Sequence, residues 1–288
     1  MGTAYFTGLR IALRRWPVVL ILLFATVATG FAFAAMTWVW LSEALDSTLA
    51  TRTLLTDLDM NVFIDLFAHH AEGFRMLVTG GATLAVIFAL AGIWMNATAV
   101  VAVTSDHRAA ECLRRGLSLY PTYLRLWIMM VLLNVGGAGG AFFFGRALTR
   151  WTAESANEAS FYWALAAGTL IATALVIFFT TAHDHARVHC ALTGKGAGRA
   201  LVWALRFITV QERRALPLSV LLLATGLAAW MAYQAVAMLV RTDLTTGVLL
   251  SIVWGEALIV ARMLLRIWAF GAAATLQAAE PRAQPWRS

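Results

Sequence analysis

Residues 17–41 read PVVLILLFATVATGFAFAAMTWVWL and contain no charged side chain. A helix needs roughly 20 mainly apolar residues to cross a bilayer, because it rises about 1.5 Å per residue through about 30 Å of hydrocarbon. Pro17 suits the start of such a helix, where its missing N–H costs nothing. The arginines before it look like the start of a signal peptide, but the apolar run is too long for one. We therefore predict an uncleaved first transmembrane helix.

Five further segments have a comparable length and apolar character. They cover residues 79–104, 122–145, 160–182, 216–240 and 246–277. The 288-residue chain is 61% hydrophobic and 13% charged, whereas soluble proteins are about 45–50% apolar and about 25% charged. A water-soluble fold could not cover its surface with so few charges. The sequence predicts an all-α, polytopic integral membrane helix bundle, with about six transmembrane helices in one membrane domain, residues 1–288.

The charges between the apolar segments alternate along the chain. The connection over residues 42–78 holds six acidic residues against Arg52 and Arg75, whereas basic residues dominate residues 105–121 and 183–215. The positive-inside rule places these two basic connections and both chain termini in the cytoplasm. The net charge of +7 then reflects membrane topology. We expect no nucleic-acid partner, since the basic residues form no run with interleaved aromatic residues.

A short motif occurs in both predicted cytoplasmic connections. Residues 105–112 read SDHRAAEC and residues 183–190 read HDHARVHC, and each stretch has an Asp-His pair followed by a cysteine. Duplication and chance are both open explanations. The side chains that could bind a metal are His107, Cys112, His183, His185, His189 and Cys190. Imidazole and thiolate suit zinc, but no CxxC pair is present, and polar residues also gather at the wet ends of spans. We predict no cofactor.

Charged residues also define a candidate intramembrane polar site. Its members are Asp184, Arg187, Glu256, Arg262 and Arg266. A charge near the middle of a span costs at least about 2.5–3.5 kcal/mol, so it should be paired or face water. We expect the two arginines of the sixth span to pair with Glu256, Asp184 or Asp106. Two interpretations stay open, namely structural pairing or snorkelling, and an inward-facing pocket for an anion such as a lipid phosphate.

The acidic connection after the first span contains part of a calcium-loop pattern. The matching residues are Asp57, Asp59, Asn61 and Asp65. Val62 stands where an EF-hand needs glycine, and Ala68 where it needs a bidentate glutamate. We therefore favour an external amphipathic segment over residues 57–78, which would cover the bundle or bind a partner.

Two other patterns concern helix surfaces. Residues 196–214 predict a cytoplasmic amphipathic segment, whose apolar face excludes Arg199 and Arg206 and consists of Leu201, Ala204, Leu205 and Ile208. Such a helix suits the membrane surface. In the third span, Gly136 and Gly140 have the GxxxG spacing that allows two helices to pack closely in lipid.

Residues 181–208, TAHDHARVHCALTGKGAGRALVWALRFI, resemble a pattern in six-span bacterial membrane proteins of uncharacterised activity. These include the membrane regions attached to some glycerophosphodiesterases. In that pattern an Asp-x-x-Arg pair ends the fourth span, and a basic amphipathic helix follows. The pair corresponds here to Asp184 and Arg187. The resemblance covers about the middle third of the chain. It implies a multi-pass protein of the bacterial inner membrane and supplies no activity.

No GxSxG, HExxH, P-loop or dinucleotide motif occurs in the sequence, so we predict that the protein is not an enzyme. The leading hypothesis is a non-enzymatic subunit or scaffold of a membrane assembly, with the bilayer, other membrane proteins and anionic lipid as partners. The alternative is a transporter or permease-like component, with a pocket lined by Glu256, Arg262, Arg266 and Asp184. The third hypothesis is a metal-dependent membrane enzyme that uses the His/Cys group.

Overall fold

The computed structural model describes residues 1–45, 71–153, 158–239 and 245–279, and every element within these ranges is helical. Eight α-helices follow one another in the described ranges: α1 Gly2–Arg14, α2 Trp16–Leu45, α3 Ala71–Thr104, α4 Ala109–Ala153, α5 Glu158–Thr193, α6 Ala197–Arg206, α7 Ala215–Ala237 and α8 Thr245–Ala278. A π-helical turn, Phe207–Gln211, continues α6. The calcium-loop residues Asp57, Asp59, Asn61 and Asp65 lie outside the described residues.

Six of these helices, namely α2, α3, α4, α5, α7 and α8, are long and apolar enough to cross a membrane. This confirms the prediction of an all-α polytopic membrane protein. Several helices extend beyond the predicted spans. For example, α4 begins at Ala109 and continues through Pro121, whereas the apolar run begins only near residue 122. The difference arises because apolar length measures only the part of a helix inside hydrocarbon, and backbone hydrogen bonding continues beyond it.

The described chain divides into two compact units. The smaller unit, residues 21–92, contains most of α2 and the first part of α3. Its packing centres on the buried Trp40, which contacts Phe74 and Leu77 of α3. A Cβ added to Gly73 would lie 2.7 Å from Cδ1 of Trp40, so the missing side chain makes room for the indole. Small residues allow this close approach where no hydrophobic effect drives helices together.

The larger unit contains residues 1–20 and the chain from residue 93 onward. Within it, α1 crosses α8 at Gly8, where an added Cβ would lie 2.7 Å from the backbone nitrogen of Ala272. Trp268 of α8 donates its indole N–H to the Tyr5 carbonyl at 2.7 Å, and the Tyr5 hydroxyl hydrogen-bonds Thr225 of α7 at 2.8 Å. The amino-terminal helix is therefore fixed to the end of the last span.

The predicted packing at Gly136 and Gly140 does not occur within the described residues. A Cβ added to either glycine would meet no atom within 4 Å. Gly137 makes the close approach instead, because a Cβ there would lie 3.2 Å from the ring of Phe179 in α5. Adjacent helical residues point about 100° apart, so the GxxxG edge of α4 is turned away from α5.

Candidate functional site

The carboxyl-terminal part of α5 is enclosed by other helices. Every residue from 181 to 190 is buried except Asp184, which is partly buried. The segment is nonetheless polar, with His183, His185, Arg187 and His189 among its buried side chains. Buried polar groups are costly unless they are hydrogen-bonded. The partners of this segment therefore decide what it can do.

Asp184 forms the centre of a three-helix ion-pair cluster. Arg266 of α8 donates to both of its carboxylate oxygens, at 2.9 and 3.0 Å. Arg266 also donates its Nε–H to the amide oxygen of Asn96 in α3 at 3.1 Å. Its guanidinium carbon lies 4.5 Å from the ring centre of Phe270. The Asp184 side chain is only 15% exposed, so this bidentate pair is more strongly held than a surface ion pair.

Arg187 is the second cation of the cluster, and it is the more deeply buried one. Its side chain is 5% exposed, and Nη1 lies 3.4 Å from Oδ1 of Asp184. Nε of Arg187 is buried and has no hydrogen-bond partner among the described residues. The Tyr123 hydroxyl of α4 donates to the Arg187 carbonyl at 2.8 Å. Two guanidinium groups thus share one carboxylate, which leaves an excess of one positive charge.

Two of the histidines of α5, His185 and His189, contact neighbouring helices, whereas Nε2 of His183 is buried with no hydrogen-bond partner among the described residues. The Gln277 amide of α8 lies 3.2 Å from Nδ1 of His185 and donates to the His185 carbonyl at 2.9 Å. His189 stacks on Trp203 of α6, with ring centres 3.8 Å apart and planes within 11° of parallel. These contacts hold the end of the fourth span against the last span and the amphipathic helix.

The other copy of the short motif lies in a different environment. Arg15 donates to Asp106 at 2.8 Å and to the His107 carbonyl at 3.3 Å, and it also contacts the Ser105 carbonyl. The Asp106 side chain is 87% exposed. Cys112 is buried, with Sγ 3.6 Å from the His107 carbonyl. This copy fixes the junction of α1 and α2 to the connection before α4.

The remaining members of the predicted intramembrane site do not join the cluster. Arg262 is exposed and Glu256 is partly buried, and neither has an ion pair within the described part of the chain. Of the two arginines of the sixth span, Arg266 binds one of the expected partners, Asp184. Arg262 binds none of them. Asp106 binds Arg15 instead of an arginine of the last span.

The metal-binding hypothesis receives no support from the geometry. Among the described residues, no group of three or more His, Cys, Asp or Glu side chains could hold a metal ion. His185 and His189 make the amide and stacking contacts described above, while Cys112 and Cys190 are both buried free thiols. The six candidate ligands therefore do not come together in one metal site among the described residues.

Three polar partners of the buried segment and its ion-pair cluster were missed by sequence reasoning, namely Asn96, Tyr123 and Gln277. Each lies inside a helix that spans the membrane. A single amide or hydroxyl in an apolar span is a usable signal, because such groups tend to face the interior of a bundle and hydrogen-bond across helices.

Comparisons with known proteins give no relative for this chain. No family model matches it, and neither a curated protein nor a solved structure matches it.

Proposed function

We propose that the protein is a non-enzymatic subunit or scaffold of a membrane assembly in the bacterial inner membrane, with both termini in the cytoplasm. The alternating charge of the connections supports this orientation. The resemblance of residues 181–208 to six-span bacterial proteins supports the choice of membrane.

One observation carries the proposal. Gly136 and Gly140 form a GxxxG edge on the spanning helix α4, both are exposed, and an added Cβ at either would meet no atom of the described residues within 4 Å. In lipid, such an edge lets a second helix approach closely. Because α4 contacts α5 through Gly137 instead, the edge is available to a transmembrane helix of another subunit.

The ion-pair cluster supports a static role for the interior of the larger unit. Arg187 of α5 and Arg266 of α8 both bind the Asp184 carboxylate, and Asn96 ties the cluster to α3. Removing one partner of a buried pair costs about 3–5 kcal/mol. Charges engaged in this way are suited to holding helices together rather than to exchanging a transported solute.

The test is purification of the tagged full-length chain from native membranes in a mild detergent, followed by mass spectrometry of the proteins that stay bound. We expect a stoichiometric membrane partner with the wild type and its loss with the variant Gly136→Leu/Gly140→Leu. The matched control is Gly30→Leu, since Gly30 is also an exposed glycine of a spanning helix with no atom near its Cβ position. A wild-type chain that is purified alone would contradict the proposal.

Transport is the second candidate, and it is favoured by Arg262. This arginine is exposed on a spanning helix and has no ion pair among the described residues. An unpaired charge at membrane depth requires contact with water, the interface or a ligand. Glu256 lies on the same helix and could complete a pocket of mixed charge.

Proteoliposome currents with a panel of small anions, including phosphate, separate the two candidates. A transporter would carry a current that Arg262→Leu abolishes while the melting temperature stays unchanged. A scaffold would carry none with either form. The control is Arg146→Leu, because Arg146 is an exposed arginine on another spanning helix, α4.

A further inference from the structure

The amphipathic helix α6 presents an exposed face that is both basic and apolar. Arg199, Val202 and Arg206 are all exposed, and their spacing of three and four residues places them on one side of the helix. The Val202 side chain lies between the two arginines and is 68% exposed. An isolated surface arginine needs no explanation, but two arginines on the same exposed side of a helix form a basic surface that attracts anionic headgroups.

The orientation of this face is fixed by packing on the opposite side. Ala197, Ala200 and Ala204 are buried, and Trp203 stacks on His189 of α5. The π-helical turn then buries Phe207 and Ile208 while Val210 stays exposed. The face therefore cannot rotate inward without breaking the contacts that hold α6 to the larger unit.

The charge of the segment is almost entirely uncompensated. Among the described residues, Lys195, Arg199, Arg206 and Arg213 have no ion pair, and the nearby Glu212 is engaged by Arg214. Anionic groups are thus attracted to this surface, and guanidinium groups match phosphate oxygens in geometry.

The position of α6 between two candidate spans indicates which anionic groups its arginines would meet. α6 follows the spanning helix α5 after residues 194–196, and the spanning helix α7 begins at Ala215. Because α6 joins the ends of two candidate spans, it lies on one side of the bilayer, where lipid headgroups are the nearest source of anions. Exposed apolar side chains on α1, Phe6 and Leu13, flank the exposed Arg10 and give the same combination on a second non-spanning helix.

We propose that the exposed face of α6, defined by Arg199, Val202 and Arg206, binds the phosphate groups of anionic phospholipids together with Lys195, which lies just before the helix. The arginines contact the phosphates, and Val202 reaches the upper part of the acyl chains. This goes beyond the subunit role and does not depend on it, because the lipids are present around the isolated chain.

The test measures lipid retention by the purified full-length chain in a neutral detergent, using native mass spectrometry with phosphatidylglycerol or phosphatidylcholine of the same acyl chains. We expect preferential retention of phosphatidylglycerol that weakens as salt is raised. The variant Arg199→Gln/Arg206→Gln should lower the apparent affinity for phosphatidylglycerol about tenfold. The control Arg146→Gln/Arg150→Gln, which removes two exposed arginines of α4, should change it less than about twofold.

Equal retention of the two lipids, or an unchanged affinity in the α6 variant, would overturn the proposal. An equal loss in the α4 control would also overturn it, because the effect would then belong to net charge. Retention of a stoichiometric protein that only the α6 variant releases, without lipid preference, would assign the face to a protein partner. The melting temperatures of both variants should match the wild type, since the replaced side chains are exposed.

Discussion

Residues 105–112 and 183–190 share an Asp-His pair and a later cysteine, yet the two stretches have opposite environments. Asp106 is 87% exposed and pairs with one arginine, Arg15, among the described residues, whereas Asp184 is 15% exposed and pairs with two arginines. The difference comes from what surrounds each copy. The first copy begins at a break between helices, while the second lies inside α5, in a segment where every residue except Asp184 is buried.

The two copies thus contain different kinds of ion pair. The Arg15–Asp106 pair is exposed to solvent, whereas the Arg266–Asp184 pair is partly buried and joins two spanning helices. An exposed pair contributes about 0–1 kcal/mol, because water and salt already stabilise its charges. A partly buried pair contributes little relative to apolar residues, but losing one partner leaves a charge stranded in a poorly solvated site. Similar sequences therefore predict different sensitivities to mutation.

The largest expected effect is that of Asp184→Asn. The substitution keeps the shape of the side chain but leaves Arg187 and Arg266 without a counter-charge, so we expect a loss of about 3 kcal/mol in the free energy of unfolding. We place it at the lower end of the range for buried pairs because the Arg266 side chain is 33% exposed. Unfolding of the purified protein in mixed micelles with increasing SDS measures the loss. A loss below about 1 kcal/mol would contradict the prediction.

The substitution Gly8→Ala tests the packing of α1 on α8. Arg15, which binds the first copy of the motif, directly follows α1. Its Cβ would lie 2.7 Å from the Ala272 backbone nitrogen, so α1 must move away from α8. Overpacking of this kind costs about 1–3 kcal/mol, and the same SDS titration should reveal it. Gly30→Ala is the control, because its Cβ position is open and alanine favours a helix by up to about 1 kcal/mol. Equal stability of Gly8→Ala and Gly30→Ala would show that the close packing of α1 on α8 at Gly8 does not stabilise the protein.

The next prediction compares His185 with His107, the histidines that follow the aspartates of the two copies. The substitution is Gln277→Met. It removes the amide that contacts Nδ1 and the carbonyl of His185, while it keeps a similar volume. Leaving these buried acceptors without the amide should cost about 1–2 kcal/mol. The control His107→Met, in the more exposed copy, should cost no more than about 0.5 kcal/mol. Thermal melting followed by size-exclusion chromatography would show the order, and the reverse order would contradict it.

The smallest expected effect is that of Asp106→Asn. Since Asp106 is largely exposed, we expect a change below about 1 kcal/mol that decreases further in high salt. The measurement is SDS titration at two salt concentrations. A loss as large as that of Asp184→Asn would mean that exposure does not distinguish the two copies.

The helical membrane architecture was largely predictable, because each spanning helix needs a long apolar segment and such segments can be recognised from the sequence alone. Asp184, Arg187 and Arg266 could be nominated for the same reason, since a charge in a span must find a partner. The choice of Arg266 over Arg262 could not be made, because it depends on which side of α8 meets α5. The docking of α1 was also hidden, since Tyr5 and Trp268 are 263 positions apart and no periodic pattern links them.

We expect Asp184 and Arg266 to stabilise the protein through each other, whereas Asp106 and Arg15 do not. A double-mutant cycle with Asp184→Asn and Arg266→Gln, read by SDS unfolding, tests it beside a cycle with Asp106→Asn and Arg15→Gln. We predict a coupling energy of about 1–3 kcal/mol for the first cycle and a value below about 0.5 kcal/mol for the second. A first cycle with no larger coupling than the second would contradict the account.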